Sequence, residues 1–229
     1  AGDPVPYSVG RDNLITALLL ACFVFGAIAL SKSRGFMSRQ ARRFFRASRD
    51  DAGALTETSS ELRFQFFLMM QTCLLLSLVT FFYIQTYVTD TFVVDQSVVI
   101  GAFFAIFVTY VMLKMLLQWL CGIVFFSRRR NESWMKSLLF IMSIEGLCLL
   151  PVVLLHAYFG FSVGNTLLSV SVVVIFSKIL SFYKIYNIFF RRREAILQFF
   201  LYFCALEIMP VFALLGILGM AGDYLKVNF

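Results

Sequence analysis

The chain has 229 residues, of which 60% are apolar and only 14% charged, with 28 Phe, a mean hydropathy of +0.85 and a formal net charge of +7. A water-soluble domain of this size needs about a quarter of its residues charged to cover its surface, so a soluble enzyme or soluble binding module is excluded. Apolar runs of about 18 residues or more recur instead, each able to cross a hydrocarbon core of about 30 Å as a helix, and the predicted fold is an all-α polytopic transmembrane bundle forming one domain.

Six spans are predicted, at 14–30, 64–88, 97–126, 134–158, 166–190 and 195–219. Uninterrupted Leu, Val and Phe argue against a barrel, whose strands alternate apolar and polar residues. The first span is followed by its basic residues rather than preceded by them, so it reads as a true helix and not a cleavable signal. The chain opens at Ala1 without Met, so a segment is expected to precede it.

Between the first two spans lies 31–63, the one connection long enough for structure of its own. Met37, Ala41, Phe44, Phe45 and Ser48 recur at helical spacing among Arg39, Arg42, Arg43, Arg46 and Arg49. The segment is expected to be a basic amphipathic cytoplasmic helix in the headgroup layer, where each basic residue near anionic lipid adds about 1 kcal/mol. Docking of an acidic partner is the alternative; nucleic acid is not expected, because no aromatic stacking platform faces away from the membrane.

The third and fourth spans meet at Arg128, Arg129, Arg130 and Lys136, and the fifth and sixth at Arg191, Arg192 and Arg193. With the eight basic residues of 31–63 these place fifteen Lys and Arg on one side, against Arg11 and Lys226 on the other. The positive-inside bias therefore predicts that both termini face away from the cytoplasm.

These two hairpins also echo one another. The interval from Lys114 to Phe125 equals that from Lys178 to Phe189, and Glu132 to Glu145 equals Glu194 to Glu207. A fainter echo joins Glu61 and Gln65-Phe66-Phe67-Leu68 to Glu194 and Gln198-Phe199-Phe200-Leu201. Three repeated hairpins of one topology would be related by an axis along the membrane normal.

The repeat sets Lys114, Glu145, Lys178 and Glu207 roughly 16 to 20 Å from the basic turns at 1.5 Å per residue, near the bilayer centre. An isolated charge there costs at least about 2.5 to 3.5 kcal/mol, so such groups face the bundle interior and pair. The simplest pairing is Lys114 with Glu145 and Lys178 with Glu207. Structural neutralisation is one role; proton relay or substrate coordination by a Glu is the other. Pro151 and Pro210 follow the two acids on their helices, and each is expected to kink its helix.

The remaining polar residues carry less. Gln71, Gln118 and Ser177 read as interhelical glue, His156 as an interfacial residue, and Lys184 as a side chain that reaches the interface. Cys22, Cys73, Cys121, Cys148 and Cys204 sit singly within spans without metal or redox spacing. No catalytic residue, cofactor or metal is expected.

The stretch Arg191 to Leu218, above all Leu-Tyr-x-Cys-Ala-Leu-Glu-Ile-x-Pro at 201–210, with the basic first loop and the terminal Val-Asn-Phe, resembles a family of Bacteroidetes integral membrane proteins catalogued only as a domain of unknown function. Glu207 and Pro210 fall on that family's acid and proline positions. The resemblance implies a Gram-negative inner membrane and a cytoplasmic Arg-rich loop, and no activity.

The leading expectation is a non-catalytic integral subunit of an envelope-biogenesis or secretion complex, contacting membrane lipids and other integral membrane proteins. The alternative is a small proton-coupled transporter or channel using Glu145 and Glu207 with Lys114 and Lys178. An intramembrane lipid enzyme is weaker, since no His, Asp or Ser cluster sits at an interface.

Overall fold

A computed structural model describes residues 13–45, 59–87, 96–125, 128–189 and 204–224. Among the described residues the chain is all helical, with α1 (Asn13–Phe45), α2 (Ser59–Tyr87), α3 (Gln96–Phe125), α4 (Arg128–Phe159), α5 (Val163–Phe189) and α6 (Met209–Tyr224), the last preceded by a π-helical turn at Cys204–Ile208. Four helices hold stretches long and apolar enough to cross a membrane, Arg63–Tyr87, Gln96–Val124, Trp134–Phe159 and Val163–Tyr186; Ile15–Ile28 and Ala205–Ala221 are shorter apolar stretches.

The first helix departs from expectation in one respect. It runs without a break from the apolar Ile15–Ile28 stretch to Phe45, so Arg39, Arg42 and Arg43 ride on a continuation of the first span and not on a separate element. Nothing between 30 and 45 stops a helix except Gly35, whose cost of about 1 kcal/mol is too small to end one. Arg128, Arg129 and Arg130 open α4. Arg46, Arg49, Arg191, Arg192 and Arg193 lie outside the described residues.

Helix α2 is the hub. It packs on α1, α3, α4 and α5, and 67% of its apolar window is buried, against 17% for α5 at the periphery. Leu75, Leu78 and Phe81 of α2 meet Leu19 of α1, Phe103 of α3 and Leu149 of α4 in the main apolar core. Helix α6 packs on α3, where Leu214 enters a smaller cluster with Met69, Cys73, Phe107 and Val111.

In lipid there is no hydrophobic gain from pressing two apolar helices together, so close approach and interhelical hydrogen bonds set the packing. Gly146 is the contact point of α2 and α4: a Cβ there would run into the Thr72 hydroxyl and meet the Leu68 carbonyl at 3.3 Å. Thr72 in turn donates to Leu68 O at 2.8 Å and to Met142 O at 3.0 Å, sharing its proton between the two helices. Gly122 of α3 likewise gives up its side-chain space to Asn131 of α4, whose Nδ2 donates to Trp119 O at 3.3 Å.

The α4–α5 turn is closed by local hydrogen bonds. Gly160 follows the last residue of α4 with φ of 65°, the left-handed conformation that ends helices at glycine. The Ser162 hydroxyl then accepts from the Asn165 N–H at 3.3 Å and caps α5. His156 lies 2.7 Å from Phe161 O and 3.1 Å from Thr166 Oγ1 through Nδ1, which places its proton on Nδ1. Through these two contacts the ring fastens the turn near the end of α4.

Candidate functional site

The deepest polar feature is built from three helices. On α3, Tyr110, Lys114 and Gln118 recur every fourth residue and so share one face. On α5, Ser177 and Ser181 flank Lys178. Glu207 belongs to the π-helical turn that leads into α6. The turn has a local cause: Pro210 has no N–H to give to the Leu206 carbonyl one turn back, and the chain widens just before it.

Glu207 is the centre of the site. Its Oε2 accepts from Lys114 Nζ and from Lys178 Nζ, both at 2.7 Å, and its Oε1 accepts from Gln118 Nε2 at 2.7 Å. The Glu207 side chain is fully enclosed and Lys114 nearly so, while Lys178 keeps 29% exposure. Two ammonium groups on one carboxylate oxygen satisfy both charges with strong, short bonds. Gln118 is therefore part of the charge cluster and not only interhelical glue, and its own Oε1 is left buried without a partner.

The arrangement corrects the simplest pairing. Lys178 does bind Glu207, but Lys114 turns to Glu207 as well and not to Glu145. Glu145, on α4, makes no ion pair among the described residues. The reason is topological: α6 rests on α3, which brings Glu207 to Lys114 from outside the α3–α4 hairpin. Lys114, Lys178 and Glu207 together carry +1, and an ionised Glu145 opposite them brings the four groups to zero.

Glu145 faces a cavity of about 640 Å³ whose walls come from α2, α3, α4, α5 and α6. The cavity is mostly apolar, with its charged residues gathered towards one end and Thr80 and Tyr83 as polar residues towards the other. Thr72, Lys114, Glu145, Ser177, Lys178 and Ser181 gather at the end nearer the α3–α4 turn; Ile84, Phe107, Leu167 and Leu218 line the end nearer the α4–α5 turn. A second, shallower hollow of about 630 Å³ lies between α3 and α6, bordered by Thr109, Leu113, Leu117, Pro210 and Ile217, and Lys114 touches both.

The two prolines differ in consequence. Helix α4 runs on through Pro151, which is exposed on the outer face of the bundle. Pro210 instead sits beside the charge cluster and against the second hollow. Tyr110 and Ser181 border the site without having been singled out from sequence; the signal was present, since Tyr110 precedes Lys114 by one turn and Ser181 follows Ser177 by one turn.

Among the described residues no three of His, Cys, Asp and Glu converge as metal donors, and Cys22, Cys73, Cys121 and Cys148 are free thiols. The chemistry the site offers is ionic: binding of a charged group at the lysines, and gain or loss of a proton at Glu145.

Long apolar helices around a buried cluster of opposite charges define a helical membrane-protein bundle. Within that class the chain belongs to the family described as Domain of unknown function (DUF4271), whose model matches residues 15–218. No curated protein and no solved structure matches it.

Proposed function

We propose that the protein is a multi-pass carrier of the bacterial inner membrane, with its basic loops in the cytoplasm, that couples movement of a small solute to protonation of Glu145. The observation that carries this reading is that Glu145 lies on the wall of a sizeable cavity outside the Lys114–Glu207–Lys178 ion pairs. An acid placed only to neutralise a lysine would be in contact with one. Here, taking up a proton at Glu145 changes the charge of the cavity's polar end from zero to +1 without breaking any ion pair. That is the change needed to bind a counter-charged solute on one side and release it on the other.

The test is a pH step applied to proteoliposomes of the full chain on a solid-supported membrane. Wild type should give a charge displacement that disappears in Glu145→Gln, with the variant still inserted and eluting as wild type does. An unchanged displacement in Glu145→Gln, or none in wild type, would remove the reading.

A subunit of an envelope-biogenesis or secretion complex is the second reading, favoured by α1. Beyond its apolar Ile15–Ile28 stretch this helix continues for about 25 Å, at 1.5 Å per residue, carrying Arg39, Arg42 and Arg43. A carrier has no need of such an extension, whereas a partner with an acidic face would use it. Mass spectrometry of material purified gently from native membranes separates the readings: stoichiometric co-purifying envelope proteins favour the subunit, the chain alone favours the carrier.

A further inference from the structure

We propose that the cavity binds a single-chain amphiphilic anion of the fatty-acid type, admitted from the lipid between α5 and α6, with its head at Lys178. The inference rests on the reading of the cavity as a carrier site and names the class of solute.

Shape is the first argument. The cavity spans Thr72 to Ile84 along α2 and Leu167 to Ser181 along α5, so it is about 20 Å long at 1.5 Å per residue. A volume of about 640 Å³ drawn out over that length makes the cavity an elongated slot. An extended hydrocarbon chain fits that shape, where a compact solute would leave most of its length empty.

The second argument is polarity along the slot. A ligand lying in it meets Val79, Val174 and Leu218 over most of its length and Lys178, Ser177 and Ser181 at one end. This is the complement of an amphiphile, not of a sugar or an inorganic ion, whose polar groups would be stranded against the apolar wall.

The third is charge. Lys178 is the cationic group of the cluster that keeps an exposed surface, at 29%, and it faces the cavity. The groups that face Glu145 are Cys73 of α2, Tyr110 and Lys114 of α3, Ser177 and Lys178 of α5 and Glu207, with Cys148 on its own helix. Among these only the lysines are cationic. With Glu145 protonated the surplus is one positive charge, which matches a monoanion.

The fourth is access. Helix α6 rests on α3 while α5 rests on α4 and α2, so α5 and α6 form opposite walls of the slot and are joined by the Lys178–Glu207 ion pair. A carboxylate arriving between them can take Lys178 over from Glu207, which retains Lys114 and Gln118. No unpaired charge is created at any stage.

The experiment is equilibrium binding of radiolabelled palmitate to the full chain in lipid nanodiscs, with competition by 1-hexadecanol, hexadecyltrimethylammonium and dipalmitoylphosphatidylglycerol. One saturable palmitate per chain is expected, with each competitor at least about tenfold weaker than unlabelled palmitate, the scale of one charge-assisted hydrogen bond. Lys178→Met should weaken palmitate by a similar factor and Lys178→Arg should restore it. Leu167→Trp, which fills the slot about three turns along α5 from Lys178, should abolish binding. Equal competition by the alcohol or the ammonium would overturn the anionic head, equal competition by the two-chain lipid would overturn the single chain, and no saturable palmitate would overturn the site. Binding needs no proton movement, so palmitate bound without a pH-step displacement sinks the carrier reading alone. A displacement at Glu145 without bound palmitate sinks the solute class alone.

Discussion

Replacing Glu207 by Gln is the perturbation whose size the structure sets most directly. The change keeps the side chain's shape and its contact with Gln118, but it removes the acceptor charge of two lysines. Lys178, with 29% exposure, can turn into the cavity towards Glu145; Lys114, at 8%, is the more enclosed of the two and, with Glu145 taken by Lys178, is left without a carboxylate. One uncompensated buried ammonium costs about 3–5 kcal/mol. Lys114→Met is milder, because Glu207 keeps Lys178 and Gln118. It forfeits one charge-assisted bond of about 1.5–3 kcal/mol and recovers part of that from the ammonium no longer desolvated. Glu145→Gln, which breaks no ion pair, should cost about 1 kcal/mol or less. The double variant Lys114→Met with Glu207→Gln should be more stable than Glu207→Gln alone, since the second change removes the stranded charge; such coupling is the mark of neighbouring residues. Reversible unfolding of the purified chain in mixed micelles, followed by circular dichroism against increasing dodecyl sulfate, measures all four. A Glu207→Gln cost no larger than that of Glu145→Gln, or a double variant as unstable as the sum of its singles, would refute the geometry of the cluster.

Other consequences follow from close approaches and the capped turn. Gly146→Ala drives a methyl into the Thr72 hydroxyl and the α2 backbone, so a loss of about 1–3 kcal/mol is expected in the same unfolding assay. Gly101→Ala is the matched control: a Cβ there meets nothing within 4 Å, and the variant should be neutral or up to about 1 kcal/mol more stable through helix propensity. Gly160→Ala forces a side chain into a left-handed conformation at φ 65° and should cost about 1 kcal/mol or more, visible as a lowered melting temperature. His156→Ala leaves the Phe161 carbonyl without its donor and removes the ring packed on Phe82 of α2 at 4.7 Å, so hydrogen exchange should quicken at the start of α5 and around Phe82 while α3 is unaffected.

How far the sequence could be read depended on whether a feature was local. The third, fourth and fifth spans, expected at 97–126, 134–158 and 166–190, lie close to Gln96–Phe125, Arg128–Phe159 and Val163–Phe189, because apolar runs bounded by charges and by Gly160 fix helices without reference to neighbours. Lys114, Glu145, Lys178 and Glu207 were legible as interior groups because charge inside an apolar span is costly wherever the helix ends up. Their partners were not legible. Pairing within each hairpin assumed that consecutive helices lie side by side, yet α6 settles on α3, and Lys114 meets an acid far along the chain. The cavity was invisible for the same reason: each of its five walls is one face of a separate helix, and only their mutual placement leaves space between them. A helix through the Arg-rich stretch was legible from its spacing, but its continuity with the first span was not, because the apolar run ends at Leu30 although Arg, Gln and Ala beyond it are themselves good helix formers.

On the proposed reading of the slot, the way α6 is held makes the charge cluster its lever. Helices in lipid gain no hydrophobic free energy from association, so an element stays in place through interdigitated packing and polar bonds. Hollows of about 640 and 630 Å³ lie on two sides of α6, and its firm contacts are Leu214 among the α2–α3 apolar residues and Glu207 among the lysines. Of these, the Lys178 bond reaches across the slot to α5, while the Lys114 and Gln118 bonds hold α6 to α3. Exchanging the first for a bound anion therefore frees α6 from α5 and leaves it anchored on α3, a change in one bond that widens the slot without unfolding any helix. A distance between spin labels at Leu168 and Met220, both exposed, should lengthen in Lys178→Met and stay unchanged in Lys178→Arg. Equal distances in both variants would mean that packing, and not the ion pair, holds the two helices together.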